Sequence, residues 1–188
     1  MRIISGTFRG KKILEPKDIK TRPLKDLTKE SIFNILNHSN KFKINLEDSN
    51  ILDLFSGVGS FGIECLSRGV KSVVFIENYN GVLPVLKKNL QNLKAIENYK
   101  IIEKDINNGK IFETLDKKFD IVFMDPPYKD KNLNLLLENL ENIKILNKNA
   151  IVVIHRHKNE QDMIPKNFKV IEEKRYGLSK IIFLSLLN

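Results

Sequence analysis

Residues 50–64 read NILDLFSGVGSFGIE, and this stretch decides the fold class. A short apolar run is followed by a loop in which Gly57, Gly59 and Gly62 match the spacing G-x-G-x-x-G, and a segment of helical character comes next. Glycine at a strand-to-helix turn permits positive φ and lets backbone N–H groups approach a bound cofactor. The spacing alone is also compatible with a tight turn that binds nothing, so both interpretations stay open at this point.

Strands and helices continue to alternate beyond this stretch. Apolar runs rich in β-branched and aromatic residues predict strands at 50–55, 72–76, 99–102, 119–124 and 150–154, and helical periods predict helices at about 60–68, 79–94, 107–115 and 131–146. This alternation predicts an α/β fold with a mostly parallel sheet and helices on both faces. Residues 168–176 and 179–187 flank Gly177 without a helix, which predicts an antiparallel hairpin at one edge and seven strands in all.

The first 45 residues follow a different pattern. Two extended pieces, RIISGTF and KKILEP, precede Pro23 and an amphipathic helix from about 26 to 37. We expect a small basic extension, residues 1–45, packed beside a main domain of residues 46–188. Residues 1–43 hold 11 Lys and Arg against 4 Asp and Glu, so +7 of the net charge of +9 lies there. Such a concentration indicates a polyanion partner, with a merely solvated lysine-rich face as the alternative.

Composition bounds the protein class. A chain of 188 residues with 41% hydrophobic and 29% charged residues is long enough and apolar enough for one folded domain. Cys65 is the only cysteine, which excludes an internal disulfide and a cysteine metal cluster. No apolar run reaches the roughly 18–20 residues of a membrane span, and no secretory signal pattern opens the chain. We therefore expect a cytoplasmic protein without a membrane partner, and monomer is the simplest expectation.

Three acidic residues lie within, at the end of and just after three consecutive strands. Asp53 lies in the first strand, Glu77 ends the second and Asp105 follows the third. A carboxylate at the second position can accept hydrogen bonds from ribose hydroxyls, and the carboxyl edge of the sheet is where such folds bind ligands. Asp53 just before the glycine loop is unfavourable for a pyrophosphate, which argues against a dehydrogenase. It suits instead a cationic region of a ligand, such as the sulfonium and amino group of S-adenosylmethionine, and the choice depends on the fourth strand.

A fourth strand delivers a second motif to the same edge. Residues 119–130 read FDIVFMDPPYKD, so Asp125, Pro126, Pro127 and Tyr128 end a buried run. The prolines fix the backbone and leave carbonyls free as acceptors, while the tyrosine can stack on an unpaired base. Asp125 and the Pro126 carbonyl would together hold an exocyclic base amine in line with a methyl donor. This chemistry requires neither a metal nor a covalent intermediate, and a strand-terminating turn is the structural alternative.

These motifs together resemble the RsmD family of bacterial small-subunit ribosomal RNA guanine-N2 methyltransferases. The likeness rests on RIISGTFRGKKI, TRPLKDLTKESIFNIL, DLFSGVGSFGIECLSRG and MDPPY, and it runs over essentially the whole length. It implies a Rossmann-like class I methyltransferase fold that uses S-adenosylmethionine, releases S-adenosylhomocysteine and acts on ribosomal RNA or the assembling small subunit. The implied cofactor contacts are Asp53, Phe55, Gly57, Gly59, Glu77 and Asp105; the implied catalytic residues are Asp125, Pro126, Pro127 and Tyr128; the implied RNA contacts are Arg9, Lys12 and Arg22.

The same resemblance leaves several points open. It implies that Pro23, Asp26, Glu30 and Asn34 shape the entrance, whereas Asp26 as a helix cap and Phe33 as a core residue are equally good interpretations. Leu24, Leu27 and Val58 depart from residues common in the family. The stretch His155-Arg156-His157 also departs, and we expect these histidines in an exposed loop without a catalytic role. Two other functions remain: methylation of an adenine or cytosine amine in DNA, or an RNA-binding module that has lost catalysis.

Overall fold

The computed structural model describes residues 1–16, 24–127 and 130–187. Its elements in chain order are α1 (Asp26–His38), β1 (Asn50–Leu54), α2 (Ser60–Ser67), β2 (Ser72–Ile76), α3 (Leu83–Gln91), β3 (Tyr99–Ile102), a 3-10 helix (Gly109–Thr114), β4 (Phe119–Met124), α4 (Leu133–Asn142), β5 (Leu146–His157), β6 (Phe168–Tyr176) and β7 (Ser179–Leu186). No helix among these described residues is long and apolar enough to cross a lipid bilayer.

The seven strands form one sheet in the order β3-β2-β1-β4-β5-β7-β6. The first five strands pair in parallel, and β7 pairs antiparallel with both β5 and β6. The predicted parallel sheet and its C-terminal hairpin are therefore confirmed. The order reverses between β1 and β4, so their carboxyl ends open a crevice where ligands bind in folds of this kind.

Each face of the sheet carries its own apolar core because successive strand residues point to opposite sides. Ile51, Phe75 and Phe123 belong to one cluster with α1, α2 and α3, while Leu52 and Val122 belong to a second with α4 and the 3-10 helix. The predicted cover of helices on both faces is confirmed. The side chains of β1 and β4 are buried on both sides, which holds the carboxyl ends of these strands rigidly.

Several element boundaries differ from the prediction. The helix predicted at 107–115 is a 3-10 helix at Gly109–Thr114. The helix predicted at 79–94 is shorter and covers Leu83–Gln91, with Pro84 in its first turn. The fifth strand runs to His157 rather than ending at 154. The two extended pieces of the N-terminus pair with each other at an isolated bridge between Arg2 and Lys12, and the backbone N–H groups of Ile3 and Ile13 donate to the carbonyls of Lys11 and Met1 at 2.9 and 3.1 Å.

The N-terminal segment is fastened to α2 by a buried carboxylate. Glu64 accepts hydrogen bonds from the backbone N–H groups of Ile4 at 2.7 Å and Ser5 at 2.9 Å, and from Nε of Arg68 at 3.0 Å. The ammonium of Lys29 lies 3.5 Å from the same carboxylate, and both side chains are fully buried. Buried charges of this kind persist only when they are paired and hydrogen-bonded. The extension therefore shares the core of the main sheet, and its treatment as a separate unit stays a prediction.

An aromatic stack joins α1 to the centre of the sheet. The rings of Phe33 and Phe61 lie 5.2 Å apart, and those of Phe61 and Phe123 lie 4.1 Å apart. Phe33 is fully buried, so the core-packing interpretation of this residue is confirmed. Asp26 is the first residue of α1 and not its cap, because the capping position is Lys25.

Candidate active site

The glycine loop joins β1 to α2 through a run of left-handed backbone. Phe55, Gly57 and Gly59 have φ values of 56°, 55° and 83°. A Cβ added at Gly59 would lie 2.5 Å from Cδ1 of Leu86, so this position requires glycine both for its conformation and for close packing against α3. Phe55 adopts positive φ as a non-glycine residue, a conformation that is rare and concentrates at functional sites.

Glu77 ties the glycine loop to the end of β2. Its Oε2 accepts a hydrogen bond from the backbone N–H of Gly57 at 2.8 Å. Its Oε1 accepts from the backbone N–H groups of Asn78 and Tyr79, each at 2.9 Å. These bonds hold the carboxylate against the loop, so two of the predicted cofactor residues, Gly57 and Glu77, are in direct contact.

Asp53 lies beneath the loop and is almost completely buried. Its Oδ2 accepts a hydrogen bond from the backbone N–H of Gly62 in the first turn of α2 at 2.9 Å. Burial raises the pKa of Asp53 well above its ordinary value, and the hydrogen bond from Gly62 opposes this rise. The negative charges of Asp125 and Glu77 raise the pKa of Asp53 further, so both carboxylates act electrostatically on Asp53.

Asp125 enters the same crevice from the end of β4. Its backbone N–H lies 3.4 Å from the carbonyl of Leu54, at the start of the glycine loop, and its side chain is 20% exposed. Pro126 is buried and Pro127 is exposed. The sheet therefore brings the predicted acceptor, Asp125, next to the predicted cofactor loop. Tyr128 lies outside the described residues, as does Arg22.

The predicted exposed loop at residues 155–157 is wrong. His155 and Arg156 belong to β5 and are buried, with 8% and 1% of their surface exposed. Nδ1 of His155 lies 2.8 Å from Oδ1 of Asp125, and Nε2 lies 2.9 Å from Oγ of Ser179. Burial lowers the pKa of His155, but the charge and the hydrogen bond of Asp125 raise it, and the net result is a raised pKa. Strand β5 continues to His157 because polar partners satisfy the buried side chains of His155 and Arg156.

Arg156 anchors the two ends of the loop that follows β4. It donates to the carbonyl of Pro127 at 3.2 Å and to the carbonyl of Asp130 at 2.9 Å. Its guanidinium also forms a bidentate pair with Asp162, with distances of 3.0 and 2.7 Å. Planar, bidentate pairs of this type are strong and directional. Sequence reasoning missed both basic residues because they follow the apolar run of the strand and resemble the start of a loop.

Three other predicted residues lie away from these contacts. Asp105 is exposed, and its Oδ1 accepts from the backbone N–H of Asn107 at 2.9 Å. Arg9 and Lys12 are exposed on the N-terminal segment. Their roles toward cofactor and RNA stay predictions.

The chemistry of the crevice fits a cationic ligand. Glu77 and Asp125 act electrostatically on the buried Asp53 there, and a bound positive charge would offset this repulsion. The sulfonium and ammonium groups of S-adenosylmethionine meet this requirement, whereas a pyrophosphate does not. Within the described ranges no group of three or more His, Cys, Asp and Glu side chains is arranged to hold a metal ion.

Comparisons with known proteins agree with this geometry. Residues 1–185 match the family model described as Conserved hypothetical protein 95. Ribosomal RNA small subunit methyltransferase D of Haemophilus influenzae is 34% identical over 183 residues, which cover 95% of this chain and 90% of the relative.

Solved structures show the same fold. An Escherichia coli structure named "Putative methyltransferase yhhF" superposes with a TM-score of 0.82 at 29% identity, covering 99% of this chain and 97% of the other. A "putative methyltransferase complexed with SAH" superposes with a TM-score of 0.65 at 13% identity, covering 84% of this chain and 49% of the other, and shares the fold alone. The chain thus has a Rossmann-like methyltransferase fold and belongs to the Conserved hypothetical protein 95 family, the RsmD family of ribosomal RNA small subunit methyltransferases.

Proposed function

We propose that this protein transfers a methyl group from S-adenosylmethionine to the exocyclic N2 amine of a guanine in small-subunit ribosomal RNA. The observation that carries the proposal is the position of Asp125, whose backbone N–H lies 3.4 Å from the carbonyl of Leu54 where the glycine loop begins. An acceptor for a base amine is thereby adjacent to a loop suited to the methyl donor. The relative from Haemophilus influenzae, named as a small-subunit ribosomal RNA methyltransferase, supports the choice of substrate.

The glycine loop and the acidic residues at the strand ends would hold the cofactor. Glu77 is fixed against the loop by three backbone N–H groups and would accept from ribose hydroxyls. Asp53 would face the positively charged end, and Asp105 would accept from the adenine amine. Phe55, Gly57 and Gly59 would shape the loop around the ligand. S-adenosylmethionine, when bound, supplies a methyl group on a cationic sulfur.

The residues after β4 would hold the target base. An exocyclic amine is a weak nucleophile because its lone pair is delocalised into the ring. Asp125 and the carbonyl of Pro126 would accept its two hydrogens and favour a nitrogen whose lone pair points toward the methyl carbon, while Pro127 fixes the bend and Tyr128 stacks on the base. Alignment of this kind can contribute about 7–11 kcal/mol to lowering the barrier. Asp125 would also take up the proton that the amine releases.

The N-terminal segment would contact the RNA backbone. Arg9 and Lys12 are exposed, and Arg22 belongs to the same basic region of the sequence. Each cation near a phosphate adds to affinity by releasing counterions, which makes binding depend on salt. A ribosomal RNA substrate would place the protein in the cytoplasm, and a monomer would suffice for this chemistry.

The decisive test is a methyl-transfer assay with three substrates. Labelled S-adenosylmethionine is supplied with free small-subunit RNA, with partly assembled small subunits and with double-stranded DNA, and the products are digested and separated by mass spectrometry. We expect N2-methylguanosine from the RNA or the particle and none from DNA. Methylated adenine or cytosine in DNA would instead support the DNA enzyme. No transfer at all, with no binding of S-adenosylhomocysteine by calorimetry, would support a binding module without catalysis.

A further inference from the structure

We propose that His155 is a positioning residue that fixes the carboxylate of Asp125 by binding one of its oxygens, so that the other oxygen is presented to the target amine. The inference rests on the proposed function. It assigns a role to a buried histidine for which the sequence predicted none.

The contact between the two side chains has a defined direction. Nδ1 of His155 lies 2.8 Å from Oδ1 of Asp125. An ionised carboxylate can only accept hydrogen bonds, so Nδ1 carries the proton and donates. This bond holds Oδ1 in place, while Oδ2 takes no part in it and can accept from a ligand.

A second contact fixes the ring itself. Nε2 of His155 lies 2.9 Å from Oγ of Ser179. Ser179 lies on β7 opposite His157 and therefore diagonally across from His155, within reach on the same face of the sheet. A hydroxyl can donate to a neutral ring nitrogen or accept from a protonated one. The ring consequently keeps its orientation in either protonation state.

The charge on the ring also favours this arrangement. Asp125 is the charged group that acts on His155, and it both attracts a proton to the ring and binds it. Asp125 in turn lies near enough to Asp53 for the two charges to interact. Burial and the nearby negative charges raise the pKa of Asp53. A cation on His155 would offset the cost of holding Asp125 close to a second carboxylate.

Two isosteric substitutions separate the contacts of the ring. In His155→Asn the side-chain amide nitrogen falls near the place of Nδ1 and keeps a donor for Asp125. In His155→Gln it falls near the place of Nε2, which keeps the contact to Ser179 and removes the donor to Asp125. His38→Gln, at an exposed residue in the last turn of α1, is the matched control.

The readouts are kcat for methyl transfer to small-subunit RNA or particles, affinity for S-adenosylhomocysteine and thermal unfolding. We expect His155→Gln to lower kcat by about 100-fold, as a misplaced catalytic group does, and His155→Asn to recover most of that loss. Affinity for S-adenosylhomocysteine should change little in either variant. Equal losses in both variants, no loss in the Gln variant, or the reverse order would each overturn the inference.

A measurement without turnover tests the contact directly. In an NMR titration of the wild-type protein, His155 should have a pKa above its ordinary value, and Asp125→Asn should lower that pKa. An unchanged pKa would refute the contact and leave the proposed function standing. A wild-type protein that binds S-adenosylhomocysteine but methylates neither RNA nor particles would refute the proposed function, and the positioning role with it.

Discussion

The backbone N–H of Thr7 donates a hydrogen bond to the carbonyl of Ser67 at 2.7 Å, which docks the N-terminal segment on the last turn of α2. Two further bonds support this contact: the hydroxyl of Ser67 donates to the carbonyl of Ser5 at 2.6 Å and accepts from the N–H of Phe8 at 3.0 Å. The segment that carries Arg9 and Lys12 is therefore held on the helix that follows the glycine loop by one backbone–backbone bond and two bonds of the Ser67 hydroxyl.

Substitution at Gly6 tests this docking. Gly6 has a φ of +82°, and a Cβ added there would lie 1.7 Å from the carbonyl oxygen of Ser67, so Gly6→Ala must displace the segment. Gly10 has a φ of +85° and nothing within 4 Å of such a Cβ, so Gly10→Ala reports the backbone strain alone, about 1–2 kcal/mol. We expect the free energy of unfolding, measured in urea, to fall clearly more for Gly6→Ala. Equal losses would show that the segment moves without cost.

The catalytic assignment of Asp125 makes a separate prediction. Asp125→Ala removes the acceptor for the base amine and the partner of His155, but it touches none of the contacts of Glu77 with the glycine loop. Turnover should fall by at least about 100-fold, while the affinity for S-adenosylhomocysteine in calorimetry stays nearly unchanged. Asp116→Ala, at an exposed residue, should alter neither quantity. Collapse of cofactor affinity in the Asp125 variant would mean that this carboxylate serves the cofactor.

The sequence predicted the sheet because its signals are local. Apolar runs such as 119–124 alternate their side chains between two cores, and glycine or proline marks the ends of elements near Gly57 and Pro126. The sequence also predicted Asp125 and Glu77 as site residues, because both lie at the ends of strands. In the N-terminal element the sequence predicted two extended pieces and a helix from about 26 to 37, and α1 covers Asp26–His38.

What the sequence could not predict depends on distant partners. Arg156 is buried because Asp162 and two backbone carbonyls satisfy its guanidinium. His155 is buried because Asp125 and Ser179, 30 and 24 residues away, bind its two nitrogens. A basic pair after an apolar run has the composition of a loop, and only the three-dimensional pairing turns it into the end of a strand. The sequence did hold one signal for His155. Asp53, Glu77 and Asp125 lie at the carboxyl edge of the sheet, and such a group of acids favours a buried cation beside them.

Arg156 should matter for both stability and turnover. Arg156→Ala would leave Asp162, whose side chain is 7% exposed, without its partner, and breaking a buried pair costs about 3–5 kcal/mol. Arg156→Lys keeps the charge but cannot reach Asp162 and the carbonyls of Pro127 and Asp130 together. We expect the Lys variant to fold, to bind S-adenosylhomocysteine normally and to lose turnover. Arg175→Lys, at an exposed arginine paired with Glu173, is the control. Full activity in Arg156→Lys would exclude a role for the anchor in presenting the base.

The basic N-terminal segment predicts a change in the salt dependence of RNA binding. Charge reversal at Arg9 and Lys12 should weaken binding and reduce the slope of log affinity against log salt, by about 0.7–0.9 for each phosphate that is no longer neutralised. Lys118 and Lys148 are exposed near the amino ends of β4 and β5, at the edge of the sheet away from Asp125, and serve as the matched pair. Filter binding at several salt concentrations gives both slopes. Identical slopes for the two double variants would remove the N-terminal segment from the RNA interface.

The raised pKa of His155 predicts how stability depends on pH. Burial lowers this pKa, yet the charge and hydrogen bond of Asp125 raise it above the ordinary value of about 6.5. A group whose pKa is higher in the folded protein than in the unfolded chain stabilises fully below the unfolded pKa, and this stabilisation is lost as the pH rises through the folded pKa. The free energy of unfolding of the wild type should therefore fall, relative to that of His155→Asn, from about pH 6.5 upward until the ring is neutral. Urea unfolding of both proteins at several pH values measures the difference, and His155→Asn is the appropriate reference because its amide keeps the donor but cannot titrate. A difference that grows with pH would mean that the ring is neutral in the folded protein, and Asp125 would then face the base without a neighbouring cation.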